Sequence, residues 1–439
     1  MSTFFGTDGL RGIIGDDLTH EIAYNCGNAL GKISPKSNIL LGKDTRISGD
    51  YISTAFASGL ISAGCNITMV DICPTPGIAY LTHTLGFDYG VAITASHNPL
   101  DHNGIKIFDN NYRKISDKKE ELIEKNFFRH ILTSNEDLGQ ITYNKKLVAK
   151  YETFLKEKIK NLHNLKIVFD CANGATSEVI KNIFKEYSNN IIIICNNTDG
   201  KDINRDCGAT NLDYLIKTIL NTNADIGFAF DGDGDRVIAI DNNGKTIDGD
   251  QIIYILAKDY LNKNILKSKE IVGTRHTNMG MELGLKKIGI TLDRAEIGDK
   301  YVASKLAEKN LQIGGEQSGH IIQRDILPTG DGILTAITLI NIILDSNTTL
   351  SNLCDYTPYK QCNINVRVEN KLNIINNSRL SAELEKRQEE LKDIGRIMVR
   401  ISGTEPVIRI MVESSNLEKC KDIANSLAEI IKLIDKESN

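Results

Sequence analysis

The stretch DIGFAFDGDGDRVIAI, residues 225–240, runs an apolar segment into three aspartates separated by glycines and leaves through a second apolar segment. The apolar halves read as strands and the polar centre as a cluster that they deliver. Asp231, Asp233 and Asp235 fall at i, i+2 and i+4, which in extended backbone sets three carboxylates on one face, while Gly232 and Gly234 let the chain curl around an ion. Left bare, the three would repel one another. A hard divalent cation resolves that, and Mg2+ commonly takes a few carboxylates together with phosphate oxygens. A calcium loop of the EF-hand type needs Gly at its sixth position and Glu at its twelfth, where this chain has Arg236 and Asn242.

Outward from this stretch, short runs rich in Ile and Val (39–44, 67–72, 89–94, 165–170, 190–195 and 270–274) alternate with amphipathic stretches such as 51–64 and 278–289. That punctuation predicts α/β layers with parallel or mixed sheets. Two further strands end as the first does, VAITASHNP at 91–99 and IGGEQSGH at 313–320, and ligands of open α/β sheets sit beyond the carboxyl ends of strands. After about residue 360 the rhythm changes to strands at 362–368, 396–401 and 407–413, a charged helix at 380–392 and a last helix from Leu417. Polar segments at 133–144, 248–250 and 356–361 suggest boundaries. The expected fold is three related α/β domains with mixed sheets, at 1–145, 146–249 and 250–358, followed by an α+β domain at 359–439.

Bulk properties narrow the function class. With 439 residues, 41% hydrophobic and 25% charged, the chain is an ordinary globular protein. The net charge of −5 supplies no positive field for nucleic acid. No run reaches the ~18 apolar residues of a membrane helix, and ILTAITLINIIL at 333–344 reads as a buried helix. The nine cysteines form no C-x-x-C pair, so a reduced, cytoplasmic location is expected, with neither disulfides nor a thiolate metal site.

Ser96 followed by His97 suggests a nucleophile beside its base. Adjacent side chains on a strand or tight loop point apart, however, and no G-x-S-x-G elbow exists. The expectation is a serine on a surface loop, not hydrogen-bonded to His97. RISGTEPVIRIM places Arg400, Ser402, Gly403, Thr404 and Arg409 around a turn between strands, a donor set suited to a dianionic phosphate. A Walker A loop is excluded, because Ala239 stands where the first Gly before Gly244-Lys245-Thr246 should be. Arg11 and Lys106 are further cations whose interest lies in their placement relative to Ser96. A serine that carries a phosphoryl group would use the aspartate cluster and the phosphate clamp together.

FGTDGLRG (5–12), KDTRISG (43–49), TASHNP (94–99), DGDGDR (231–236), GEQSGH (315–320) and RISGTEPVIR (400–409), in that order, resemble the alpha-D-phosphohexomutase superfamily over essentially the whole chain. The resemblance implies four domains around a central cleft and a phosphoserine at Ser96. It implies one Mg2+ per chain, held by Asp231, Asp233, Asp235 and the Ser96 phosphate. Glu316 and Ser318 would then hold sugar hydroxyls, and Arg400, Ser402, Gly403, Thr404 and Arg409 the non-reacting phosphate. Arg11, Lys106, Arg236 and His320 would assist near the transferring group. GTDGLRG, GGEQSGH and SGTEPVIRIMVE are most similar to the branch that acts on glucosamine phosphates, which implies glucosamine 1,6-bisphosphate as intermediate and activator. The implied partner is a small sugar phosphate, with no nucleic acid or membrane and with a homodimer as the candidate assembly. The alternatives are the same reaction on mannose or glucose phosphates, or a sugar-phosphate phosphatase. Arg275, His276, Lys300 and Ile401 depart from the residues usual in the superfamily.

Overall fold

The computed structural model describes residues 4–6, 8–129, 137–162, 165–392, 394–402 and 406–437. Part of the polar segment 133–144, and Gly403 and Thr404, lie outside them. The chain forms two compact units, residues 1–276 with 292–354 and residues 277–291 with 355–439.

The first unit holds three sheets. The first contains β1 (Phe5–Gly6), β2 (Gly9–Ile13), β3 (Asn38–Lys43), β4 (Asn66–Ile72), β5 (Tyr89–Ile93), β6 (His102–Asp109) and β7 (Ile141–Tyr143), in the order β1-β2-β6-β5-β3-β4-β7. The second contains β8 (Ile167–Asp170), β9 (Ile191–Ile194), β10 (Ile226–Phe230), β11 (Val237–Asp241) and β12 (Thr246–Ile247), in the order β12-β11-β10-β8-β9. The third contains β13 (Glu270–Thr274), β14 (Thr291–Ala295), β15 (Ile313–Gly315), β16 (Ile321–Gln323) and β17 (Leu327–Gly330), in the order β14-β13-β15-β16-β17.

One motif recurs in all three: β6-β5-β3-β4, β11-β10-β8-β9 and β16-β15-β13-β14. In each, the third strand of the block lies parallel to the first and antiparallel to the fourth. The polar clusters are therefore the hairpin connections that follow β5, β10 and β15, at 94–101, 231–236 and 316–320. β5 and β10 are buried at every position, as continuous apolar runs covered on both faces must be.

Local chemistry fixes the helices between the strands. Asp248 and Gln251 form a capping box on the helix Gly249–Asn262, and Asp331 Oδ1 accepts from Leu334 N at 2.9 Å to cap Gly332–Ser346. The latter is the helix expected from ILTAITLINIIL, with Ile333, Leu334, Ile337 and Ile340 among its buried residues. Helices His20–Ile33 and Gly49–Ser62 cross where a Cβ on Gly27 would strike Phe56 O and one on Gly59 would strike Tyr24 O, so the backbones meet directly.

The second unit is built on β18 (Lys360–Arg367), β19 (Gly395–Ile401) and β20 (Val407–Ser414), antiparallel in the order β18-β20-β19. Helix Leu417–Glu437 buries Cys420, Ile423, Leu427, Ile431 and Ile434 at helical spacing, and each full burial of an Ile or Leu is worth roughly 1.5–3 kcal/mol. Helix Met279–Lys287 belongs to this unit. Asn278 Oδ1 accepts from Tyr359 N at 2.9 Å, Glu413 Oε1 from Met279 N at 3.1 Å, and Thr277 O from Arg396 Nη2 at 2.6 Å.

Candidate active site

Ser96 lies where the backbone leaves β5 and turns left-handed, with φ 53°. Its amide donates to Thr94 Oγ1 at 2.9 Å, and Thr94 Oγ1 donates to Asp44 Oδ2 at 2.6 Å. Arg46, buried and paired with Asp44 at 3.0 Å, spends its guanidinium on this loop. Nη2 donates to Ser96 O at 3.1 Å and Asn98 O at 2.7 Å, while Nη1 donates to His102 O at 3.0 Å and to Pro99 O. Asn204, from the second sheet's loops, also donates to Ser96 O at 2.8 Å. A buried carbonyl needs a donor, and here one arginine supplies four of them.

Two expectations about this serine are corrected. Ser96 is not on a surface loop, because its relative exposure is 0%. Its Oγ is also 3.2 Å from His97 Nδ1, since a left-handed residue does not follow the alternation of a strand. The stronger partner is elsewhere: Ser96 Oγ donates to Asp231 Oδ2 at 2.6 Å. Burial, followed by the charges of Arg236 and Arg11, lowers the His97 imidazole to about 4.

The aspartates converge, but by a turn rather than by strand alternation. Residues 231–236 form the bend of the β10–β11 hairpin, with Gly234 at φ 74°. Asp231, Asp233 and Asp235 each bring one carboxylate oxygen within 4.8 Å of the others, all buried. Asp233 Oδ2 accepts from Thr75 Oγ1 at 2.6 Å and from Lys106 Nζ at 2.7 Å, and Asp235 Oδ2 accepts from Lys106 Nζ at 2.8 Å. Asp233 Oδ1 and Asp235 Oδ1 are buried without a hydrogen-bond partner. Burial and the neighbouring Asp235 and Asp233 push the Asp231 carboxyl well up, whereas Lys106, against burial, holds that of Asp235 well down. A trio with two orphaned oxygens and an electrostatically burdened third member fits a small hard cation.

Lys106 is fully buried, and against the cost of burial Asp233, Asp235 and Asp8 raise its ammonium well above the ordinary range. Asp8 pairs with Arg11 and Lys114 and lies 3.5 Å from Lys106 Nζ; Lys114 in turn reaches Asp299 at 2.6 Å. Against burial, Lys106, Lys114 and Arg11 pull the Asp8 carboxyl far down.

The third hairpin joins the second through a bridge between Arg236 and His320. His320 Nδ1 stands 3.7 Å from Asp235 Oδ1 and its Nε2 3.7 Å from Asp299 Oδ2. Against burial, Asp235 and then Asp299 raise its imidazole. Asp235, Arg236, His276, Glu316, Ser318 and His320 are among the residues lining a cavity of about 350 Å³. Glu316 Oε1 accepts from Gly298 N at 3.1 Å, and burial raises its carboxyl. Two residues that depart from the superfamily pattern are tied to acids, Arg275 to Glu296 at 2.5 Å and Lys300 to Asp117 at 2.5 Å.

In the second unit, Arg400 and Arg409 face each other across β19 and β20. Burial, then Arg409, lowers the Arg400 guanidinium. Ser402 is buried, and its carbonyl accepts from Lys371 Nζ at 2.8 Å. Two adjacent guanidiniums at a strand turn suit a multiply charged anion.

Sequence reading missed several residues. Thr75, Asn204, Lys114 and Asp299 carried no local signal, because they act from other elements. Arg46 and Asp8 stood inside the quoted KDTRISG and FGTDGLRG, where a charge held inside a turn could have been suspected.

Four models of the phosphoglucomutase/phosphomannomutase family match in chain order, alpha/beta/alpha domains I, II and III at residues 2–133, 142–244 and 248–359 and the C-terminal domain at 364–430. The chain belongs to this family. Within it, the phosphoglucosamine mutase of Natranaerobius thermophilus is 39% identical over 98% of this chain and 99% of its own, and that of Clostridium tetani is 39% identical over 100% of both. Among solved structures, a phosphoglucomutase/phosphomannomutase family protein of Burkholderia thailandensis superposes with a TM-score of 0.83 at 22% identity, covering 99% of this chain and 98% of that one. The N-acetylphosphoglucosamine mutase of Aspergillus fumigatus, solved with GlcNAc-6P and magnesium, gives 0.69 at 17% identity, over 99% of this chain and 96% of that one.

Proposed function

We propose that this chain interconverts glucosamine 6-phosphate and glucosamine 1-phosphate, with Ser96 as the group that carries the phosphoryl. The observation that carries this reading is Ser96 Oγ, buried and 2.6 Å from Asp231 Oδ2, within a carboxylate trio that also holds the ammonium of Lys106. Three carboxylates able to hold a hard cation, with a lysine ammonium between two of them, suit a serine that carries a phosphate. Full-length relatives named for this activity support the substrate.

In the forward direction the phosphoryl on Ser96 passes to the 1-hydroxyl of glucosamine 6-phosphate. The P–O bond to Ser96 breaks as one to the sugar 1-oxygen forms, and the proton of that hydroxyl ends on the freed Ser96 Oγ, which donates to Asp231 Oδ2. The product of this half is glucosamine 1,6-bisphosphate, whose 6-phosphate returns to Ser96 after the sugar turns over. Transfer of this kind depends on positioning and on neutralising the equatorial oxygens, the task of Lys106, Arg11 and Arg236, with His320 as a neighbour whose imidazole, against burial, Asp235 and Asp299 raise. Asp231, Asp233 and Asp235 would hold one Mg2+, which supplies charge neutralisation at the transferring oxygens.

Glu316 and Ser318, on the cavity wall, would orient the sugar hydroxyls, while Arg400, Ser402 and Arg409, with Gly403 and Thr404, would take the phosphate that is not transferred. The same proposal divides the chain at 145/146, 249/250 and 358/359, one segment per sheet.

The test is relative kcat/KM for glucosamine, glucose and mannose 6-phosphates, each activated by its own bisphosphate. The glucosamine substrate is expected to lead. A lead for mannose or glucose would move the chain to another branch of the family, and release of inorganic phosphate at the rate of turnover would make it a phosphatase.

A further inference from the structure

Outside the cleft, the structure gathers Asp170, Cys195 and Cys207, with both sulfurs and a carboxylate oxygen within 4.8 Å of one another. Cys195 follows β9 in the left-handed region, φ 47°, and is half-buried, whereas Cys207 is 1% exposed. Asp170 ends β8, fully buried, with Oδ1 taking Ala172 N at 2.9 Å and Oδ2 taking Gly208 N at 2.9 Å. The Cys195 sulfur lies beside this carboxylate.

We propose that Cys195 and Cys207 are a hydroperoxide-sensitive thiol pair, Cys195 being oxidised first and Cys207 closing the disulfide, and that this bond acts on Ser96 through the loop between them.

Access and chemistry assign the order. Only Cys195 meets solvent, and the carboxylate on its thiol is a base whose pKa burial raises to about 6. The hydrogen bond with Cys195, then burial, holds the Cys207 thiol far up, which makes it the slower of the two to meet an oxidant. In the first step the Cys195 sulfur attacks the distal oxygen of the hydroperoxide while its proton passes through Asp170 to the departing alcohol. The O–O bond breaks and leaves Cys195 as a sulfenic acid. In the second step Asp170 takes the Cys207 proton as that sulfur attacks Cys195, the S–S bond forms, and hydroxide leaves and collects the proton as water. Two thiols and one hydroperoxide give one disulfide, one alcohol and one water.

The coupling is mechanical. A disulfide needs its sulfurs about 2.05 Å apart, so oxidation ties the two ends of the loop 196–206 to each other. That loop carries Asn204, whose side chain donates to Ser96 O at 2.8 Å and Asn98 O at 3.2 Å. Around its ends Ala172, Asn173, Cys195, Asn204 and Asp206 are all left-handed without being glycine, a region sparsely populated by such residues. The tie between the ends bears on the Asn204 contacts.

The experiment treats reduced, full-length protein with stoichiometric hydrogen peroxide, then measures intact mass, maps peptides and assays the mutase reaction. Expected are the loss of two hydrogens, a cross-link between the Cys195 and Cys207 peptides, and a kcat lower by roughly tenfold at unchanged KM, the scale of one lost hydrogen bond. Dithiothreitol should restore it. Cys195→Ser should keep full activity before and after peroxide, and Cys207→Ser should accumulate a dimedone-reactive sulfenic acid at Cys195. A cross-link through Cys171, over-oxidation of Cys195 in the native chain, or a Cys195–Cys207 bond with unchanged kcat would overturn the proposal.

Discussion

Arg46 is the residue on which the geometry of Ser96 turns. Its buried guanidinium donates to four carbonyls of the serine loop and neutralises the buried Asp44. Truncation strips the buried Asp44 carboxylate of its counter-charge and takes one donor from each of the four carbonyls, so Arg46→Met is expected to cost about 3–5 kcal/mol and to lower kcat; urea denaturation and steady-state assay check both. His97 is the second residue with a measurable signature. Its imidazole is held at about 4 in the folded chain, below an unfolded value near 6.5. Between those values the unfolded state binds more protons, so stability falls as pH drops from 6.5 toward 4, by roughly 3 kcal/mol in all. His97→Gln should flatten that part of the pH–Tm curve, and an unaltered slope would count against a neutral His97.

At the scale of elements, the unit of design is a strand that ends in a hairpin, used three times. The strand runs and their polar termini were legible because buried strands read as apolar runs and because glycine marks tight turns. The path of the backbone through the clusters was not. Periodicity describes a strand, whereas Ser96 at φ 53° and Gly234 at φ 74° lie in turns where alternation no longer applies, so the Ser96–His97 contact went unread and the aspartates were set on one strand face, although their glycines already pointed to a curl. Gly234 offers a direct test, since a Cβ there would sit 2.5 Å from Thr176 Cγ2 in addition to the backbone strain. Gly234→Ala is expected to cost about 1 kcal/mol or more and to lower the activity at limiting Mg2+ more than at saturation, as a titration of rate against metal would reveal.

The whole molecule makes one site from loops of three sheets, and this long-range assembly is what a linear reading resolves least. Thr75 and Lys106 meet Asp233 across 158 and 127 residues, and Ser96 meets Asp231 across 135. Buried charges such as Arg46, Lys106 and Lys114 also run against the ordinary surface placement of Arg and Lys, which is why their roles emerged only with the packing. The motifs nonetheless named the serine, the aspartates and the third loop, because each concentrates its chemistry within a few residues. If the trio holds Mg2+, adding the metal at a hundred times Kd should stabilise the fold by about 2.7 kcal/mol, seen as a higher Tm that chelation reverses. Asp233→Asn should weaken that binding roughly a hundredfold, with a matching loss of rate at limiting metal.

The most direct measurement follows the phosphoryl group itself. Protein incubated with glucosamine 1,6-bisphosphate labelled in phosphorus is digested and mapped, and a second portion is mixed with unlabelled glucosamine 6-phosphate. Label on Ser96, passing to the sugar within a turnover and absent from Ser96→Ala, is the expected result. Label recovered as inorganic phosphate, or ordinary turnover by Ser96→Ala, would contradict a serine-borne phosphoryl transfer.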